Sequence, residues 1–133
     1  MIKPIVRFKK LCSSARIPQK KSFGAAAYDI YYPYEDAVIL YPSDLRVVST
    51  GLAMEIPPGW KGEIYSRSGL ASKGIFVVNQ PGKIDSDYRG EIKILLYNSS
   101  SNSITLVKGA RIAQFELNPV YDLGRREVDE LSV

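Results

Sequence analysis

Four short segments carry residue types that can do chemistry together. The first is Ala25-Ala26-Ala27-Tyr28-Asp29, three small residues that allow close packing followed by a carboxylate. Taken alone, Asp29 reads as an ordinary residue at a strand end. The second, Tyr65-Ser66-Arg67-Ser68-Gly69-Leu70-Ala71, follows an apolar run and opens a helical turn. Free N–H groups at a helix start, beside the forked guanidinium of Arg67, make a phosphate cradle. The same residues equally describe a capped turn with Ser66 or Ser68 as N-cap. The third segment, residues 79–90, reads as a polar hairpin with its turn near Pro81-Gly82 and strand pairing resuming at Glu91. Within it Asp85 and Asp87 stand at i and i+2, on one face of a strand. Like charges so placed cost free energy unless a cation or a proton transfer uses them. The fourth, residues 108–114, leads from a turn into a strand with Gln114 pointing inward, where an amide needs hydrogen-bond partners.

The elements that must position these groups are short strands. Apolar or alternating runs fall at residues 4–8, 27–32, 37–41, 45–48, 52–56, 63–65, 75–79, 91–97, 104–107 and 111–117. Turn residues separate them, among them Pro42-Ser43, Pro57-Pro58-Gly59, Pro81-Gly82 and Lys108-Gly109. Strands at spacings of about eight to twelve residues predict an all-β sandwich, jelly roll or barrel. One helical turn is predicted at residues 68–73. Residues 125–131 fit a short helix or a strand, and the more polar stretch after Pro119 reads as an arm, so the expected division is one domain over 1–120 and a C-terminal arm over 121–133.

Composition narrows the chemistry. The 133 residues include no histidine and a single cysteine, Cys12. That excludes a disulfide framework, a zinc cluster, a Ser-His-Asp triad and a Cys-His pair. Acid–base work then falls to carboxylates, Lys, Tyr or water, and any metal is expected to be hard and oxygen-ligated, Mg²⁺ first. With 45% hydrophobic and 24% charged residues the chain is an ordinary globular sequence. No run of about 18 apolar residues predicts a membrane span, and the N-terminus lacks the apolar stretch of a signal peptide. An intracellular protein with a reduced thiol is expected, in the cytoplasm or, for a viral protein, in the host cytoplasm. The net charge is +4, concentrated in Lys3, Arg7, Lys9, Lys10, Arg16, Lys20 and Lys21, with no acid before Asp29. A solvated basic edge is the preferred reading over a nucleic-acid surface, because no cluster of aromatics accompanies those cations to stack bases.

Taken jointly, the order and spacing of the four segments resemble the trimeric dUTPase family. Residues 25–30 match its Ala/Gly-rich stretch ending in Asp and an apolar residue. Residues 66–71 match Pro-Arg-Ser-Gly-Leu-Ala, residues 82–90 match Gly-x-Ile-Asp-x-Asp-Tyr-Arg-Gly in full, and residues 108–114 match Lys-Gly-x-Arg-Ile-Ala-Gln. The resemblance implies a mostly antiparallel, jelly-roll-like β-barrel with one short helix, assembled as a homotrimer with active sites between subunits. It implies hydrolysis of dUTP to dUMP and pyrophosphate by in-line attack of water on the α-phosphorus. Asp85 would activate the water, and Tyr88 would stack under the deoxyribose and leave no room for a 2′-hydroxyl. The backbone around Asn79, Gly82 and Ile84 would read the uracil edge. Arg67, Ser68 and Gly69 would bind phosphates, Gln114 a phosphate oxygen or an ordered water, and Asp29 a water in the shell of the Mg²⁺ carried by the triphosphate.

Three departures qualify the resemblance. Ser66 stands where the family has proline, and Ala110 where it often has an acid. An Arg/Gly-rich fifth segment with a Phe usually closes such enzymes over the nucleotide, and residues 128–133 resemble what precedes it. Removal of that segment, its absence, and its replacement by Gly124-Arg125-Arg126 are three open readings. Without closure, binding would survive while turnover falls. Two rival readings follow: a non-catalytic nucleotide binder on the same scaffold, and a dCTP deaminase. The deaminase motif has Arg-Ser-Ser rather than Arg-Ser-Gly and lacks the Asp-Tyr-Arg-Gly run.

Overall fold

The computed structural model describes residues 2–133. In chain order the elements are β1 (Arg7–Lys10), β2 (Tyr28–Tyr31), β3 (Val38–Leu40), β4 (Leu45–Glu55), β5 (Trp60–Tyr65), α1 (Ser68–Ala71), β6 (Ile75–Val77), β7 (Gly82–Ile84), β8 (Glu91–Asn98), β9 (Ile104–Leu106) and β10 (Arg111–Pro119). Side chains alternate across a strand. Along β8 the even positions Ile92, Ile94 and Leu96 are therefore buried, while Glu91, Lys93 and Leu95 face outward or half outward. β4, β5 and β10 carry consecutive buried residues instead, and with β8 they feed one core that holds Val48, Met54, Ile64, Leu96, Ile112 and Phe115.

The strands form antiparallel sheets in the orders β1-β4-β8-β6, β2-β10-β5-β7 and β3-β9. All-β character and the single helical turn agree with the sequence. The expected closed barrel does not: the two larger sheets are open, with β1, β6, β2 and β7 at their edges, and they share a core face to face rather than continuing into one another. No strand pairs with its neighbour in sequence. The expected hairpin over residues 79–90 is accordingly absent. β6 pairs with β8, whereas β7 pairs with β5 through Gly62↔Ile84, Glu63↔Lys83 and Ile64↔Gly82. Residues 78–81 instead carry the chain from one sheet to the other. Glycine is required in this lock, because a Cβ on Gly62 would lie 2.6 Å from Phe115 Cε2 and 3.0 Å from Ile56 Cδ1.

Two further expectations are revised. The two runs expected at 45–48 and 52–56 are one strand, interrupted by an irregularity at Ser49-Thr50-Gly51. Gly51 takes φ 69°, its N–H donates to Glu91 Oε2 at 3.0 Å, and Thr50 Oγ1 donates to the Ile92 carbonyl at 2.6 Å. Side-chain oxygens thus satisfy the backbone where the ladder breaks. Residues 125–131 are neither helix nor strand, and residues 121–133 are exposed.

Candidate active site

β10 is the organiser of one group of residues. Gln114 stands opposite Asp29 of β2 on one side and Tyr65 of β5 on the other, so the two residues after Tyr65 emerge beside Asp29. Asp29 is only 8% exposed, and a buried carboxylate needs charged partners. It has two. Arg67 Nε lies 3.2 Å from Oδ1, and Arg111 Nη1 lies 3.7 Å from Oδ2. Arg67 Nη1 also donates to the Arg111 carbonyl at 3.2 Å. Arg67 is the N-cap residue of α1, in extended conformation at φ −90° and ψ 140°, and Ser68 and Gly69 follow it exposed at the start of the turn. Neither Ser66 nor Ser68 caps the turn with its side chain. The Ser66 hydroxyl instead accepts from the Val77 N–H at 2.9 Å. Gln114 is half-buried rather than fully inward, and its Nε2 donates to the Ser66 carbonyl at 2.8 Å.

A second group lines a cleft of about 350 Å³ between β7 and β8, including Asn79, Gly82, Ile84, Asp85 and Tyr88. β7 ends at Ile84, so Asp85 and Asp87 lie in a turn and not on one face of a strand. The Asp85 carbonyl accepts the Tyr88 N–H at 3.1 Å in that turn, and its side chain is exposed at the rim. Tyr88 folds back over Gly90, where a Cβ would come within 2.5 Å of the phenol oxygen. Its hydroxyl donates to the Glu91 carbonyl at 3.0 Å, which leaves the ring 46% exposed over the cleft. Gly82 is buried, and a side chain there would press on Ile64 and on the Asn79 carboxamide, 3.3 and 3.4 Å away.

Within one chain, then, Asp29, Arg67 and Gln114 come together with Ser68 and Gly69 alongside, while Asn79, Gly82, Ile84, Asp85 and Tyr88 form a separate cluster. The sequence assigned no role to Arg111, although it lies inside the fourth segment. A cation opposite the only acid of the first segment was the available signal.

A polar network flanks the first group. Tyr65 donates to Glu63 Oε2 at 2.6 Å, and Glu63 Oε1 receives Lys61 and Asn118, each at 3.3 Å. The Tyr65 hydrogen bond, then Lys61, holds the buried Glu63 carboxyl below its ordinary range against the opposing effect of burial. The same bond pushes the Tyr65 phenol up to about 12.

Among the described residues no cluster of three His, Cys, Asp or Glu could hold a metal directly. Both Asp29 oxygens already face guanidinium groups. A carboxylate offers about four lone-pair sites, so Asp29 can still accept from a water, which suits an outer-shell role and no closer one.

A family model described as dUTPase matches residues 13–132. The deoxyuridine 5′-triphosphate nucleotidohydrolase of Nautilia profundicola is 47% identical over 128 residues, covering 96% of this chain and 89% of that protein. The protein of the same name from Hydrogenobaculum sp. is 44% identical over 125 residues, covering 93% and 86%. Among solved structures, the Staphylococcus bacteriophage 80alpha dUTPase with dUPNHPP superposes with a TM-score of 0.86 at 28% identity, covering 97% of this chain and 90% of that one. The dUTPase of S. aureus phage phi11 shares the fold, with a TM-score of 0.86 at 24% identity over 97% of this chain and 99% of that one. Matched along nearly its whole length, the chain belongs to the dUTPase family.

Proposed function

We propose that the chain hydrolyses dUTP to dUMP and pyrophosphate. The observation that carries this is the pair of clusters just described: a cleft of nucleobase size with a carboxylate at its rim, and a guanidinium held by a buried acid. In this reading the cleft takes uracil, whose edge pairs with the backbone at Asn79, Gly82 and Ile84. Fixed polar groups left unpaired by a wrong base reject it strongly. The Tyr88 ring lies under the deoxyribose, anchored through its hydroxyl, so a 2′-hydroxyl meets the ring. Asp85, exposed and with no cation partner among the described residues, holds the attacking water and takes its proton. Arg67, Ser68 and Gly69 bind the phosphates. Arg67 neutralises charge that develops on the departing group, and Asp29 keeps its guanidinium aimed. Gln114 has one amide proton and its oxygen left for a phosphate oxygen or an ordered water.

Carried by the triphosphate, Mg²⁺ would neutralise charge on the pyrophosphate; the phage phi11 protein is described with a structural Mg(II) ion. Asp29 would accept from a water of that ion.

The two clusters act on one substrate when each site is shared between subunits of a homotrimer. Among the described residues no hydrogen bond or ion pair joins Arg67 to Asp85 within one chain, which supports this reading. So do Tyr121, Leu123, Val128 and Leu131, apolar side chains left exposed on the terminal segment. We take residues 121–133 as an arm on a single domain over 1–120. The free thiol of Cys12 accords with an intracellular location, and no helix among the described residues is long and apolar enough to cross a membrane. The basic N-terminal segment is read as a solvated edge.

The test is pyrophosphate release from dUTP with Mg²⁺, beside dCTP, dTTP and UTP. Release from dUTP alone is expected. Binding of dUTP without release would favour the non-catalytic binder, and release from none with no binding would refute the proposal. A light-scattering mass near three chains is expected, and a stable monomer would remove the shared site.

A further inference from the structure

Ser66 is the residue at which the two clusters meet, and each of its polar groups is engaged. Its N–H donates to Gln80 Oε1 at 2.6 Å. Its hydroxyl accepts the Val77 N–H at 2.9 Å. Its carbonyl accepts Gln114 Nε2 at 2.8 Å. The three partners lie on three segments: the cross-sheet turn at 78–81, the end of β6, and β10. Chain neighbours extend the reach. Gln80 follows Asn79 of the cleft, and Ser66 precedes Arg67 of the phosphate loop.

The residue type matters here. The resembling family carries proline at this position, which fixes φ and has neither an N–H nor a hydroxyl. Two of the three ties are therefore ones that a proline could not make, and the hydroxyl tie needs the serine side chain. With serine the local backbone is freer, and a half-buried N–H has to find an acceptor. Gln80 supplies it from the turn that bears Asn79.

We infer that Ser66 and Gln80 are positioning residues that lock the base-binding turn to the phosphate loop, replacing with two hydrogen bonds the stiffness that a proline would provide. The inference rests on the proposed dUTP reading for the roles of those two segments. Neither residue touches the reacting atoms. Their effect is on how far the Arg67 loop strays from the geometry that turnover requires. A displacement of about 1 Å far from the chemistry can lower a rate by about a hundredfold, and loss of one hydrogen bond at a half-exposed site predicts less.

The experiment compares the intact protein with Gln80→Ala, Ser66→Pro and the double variant. It reads kcat and KM for dUTP and the dissociation constant for dUMP, which fills the cleft but lacks two phosphates. For Gln80→Ala, kcat/KM is expected to fall about three- to tenfold, with dUMP affinity unchanged within about twofold. In the Ser66→Pro background no N–H remains to be satisfied, so Gln80→Ala is expected to have no further effect. Should Ser66→Pro fold poorly, Ser66→Ala serves in its place; it keeps the N–H, and the Gln80→Ala loss is then expected to persist in full. Unchanged kcat/KM in Gln80→Ala, equal losses in dUMP binding and turnover, or a full Gln80→Ala loss in the proline background would each overturn the lock. If the wild type binds dUTP without turning it over, dUTP affinity replaces kcat/KM as the readout. A wild type that neither binds nor hydrolyses dUTP removes the proposed function and the lock together. An active wild type with an indifferent Gln80→Ala removes the lock alone.

Discussion

Replacing Arg67 by methionine keeps much of the side chain's bulk and takes the nearer cation away from Asp29. The two side chains are 19% and 11% exposed, with 3.2 Å between Nε and Oδ1. At that distance, with an effective dielectric constant of about 20, the attraction is about 5 kcal/mol before desolvation is counted. Stripping a buried carboxylate of every partner costs about 3–5 kcal/mol. Asp29 would keep Arg111 at 3.7 Å, on a side chain 39% exposed, so the expected loss is smaller, about 2 kcal/mol. Asp29→Asn leaves two guanidinium groups facing each other without their acid, and a loss of similar size is expected. The double variant Arg67→Met/Asp29→Asn then loses little more than either single one, a coupling of about 1–2 kcal/mol. Urea unfolding followed by the fluorescence of Trp60 measures all four proteins. Protomer concentration is held fixed because association shifts the midpoint. Additive losses, with the double variant down by the sum of the two single ones, would refute the claim that this pair holds the Arg67 loop against β2.

Asp85→Asn is expected to abolish pyrophosphate release while dUTP binding by calorimetry stays within about threefold; unchanged turnover would remove Asp85 as the water activator. Tyr88→Ala is expected to narrow the dUTP/UTP preference in kcat/KM by about tenfold or more, and an unaltered preference would reject the stacking role. For pH, the Tyr65 phenol is neutral when protonated and its folded value is raised to about 12. Its share of stability is therefore complete below the unfolded value and lost as pH rises through about 12. Tyr65→Phe is expected to remove the highest step of the phenolate absorbance titration. Glu63 has the opposite sign: its folded value is depressed, so its share is present above the ordinary carboxylate range and lost as pH falls through the depressed value. Glu63→Gln is expected to flatten the acid limb of stability against pH, and an unchanged limb would assign acid sensitivity elsewhere.

The four chemical segments were legible because glycines and charges interrupt apolar strands at fixed spacings, and the strands themselves because apolar residues recur at period two. What stayed illegible is whatever depends on partners distant in sequence. Ser49-Thr50-Gly51 interrupts two apolar runs that read as separate strands until Glu91 and Ile92 are known to lie beside it. Residues 79–90 look like a hairpin until β7 is found on β5. Closure into a barrel is decided by which strands stand at the edges, and no local pattern records that. Gln80 reads only as part of a turn and Arg111 acquires no role, because the atoms they contact are 14 residues or more away along the chain.

That no strand lies beside its neighbour in sequence also sets the order in which the molecule can form. Helical turns and hairpins can form as a chain emerges; none of these sheets can, because each ladder waits for a remote partner and for the loop-closure entropy that goes with it. β2, which bears Asp29, has β10 as its only strand partner. At synthesis rates of about 5–20 residues per second, the roughly 80 residues between them take about 4–16 s to appear. Until then Asp29 has only its local backbone bridge to Gln19, and the side of β2 that β10 will cover is unpaired. β10 is the strand inserted between β2 and β5, so its arrival completes the four-stranded sheet and the Arg67 group at once. Nascent chains halted before residue 111 would hold the cleft residues but could not assemble Asp29, Arg67 and Gln114 into one group.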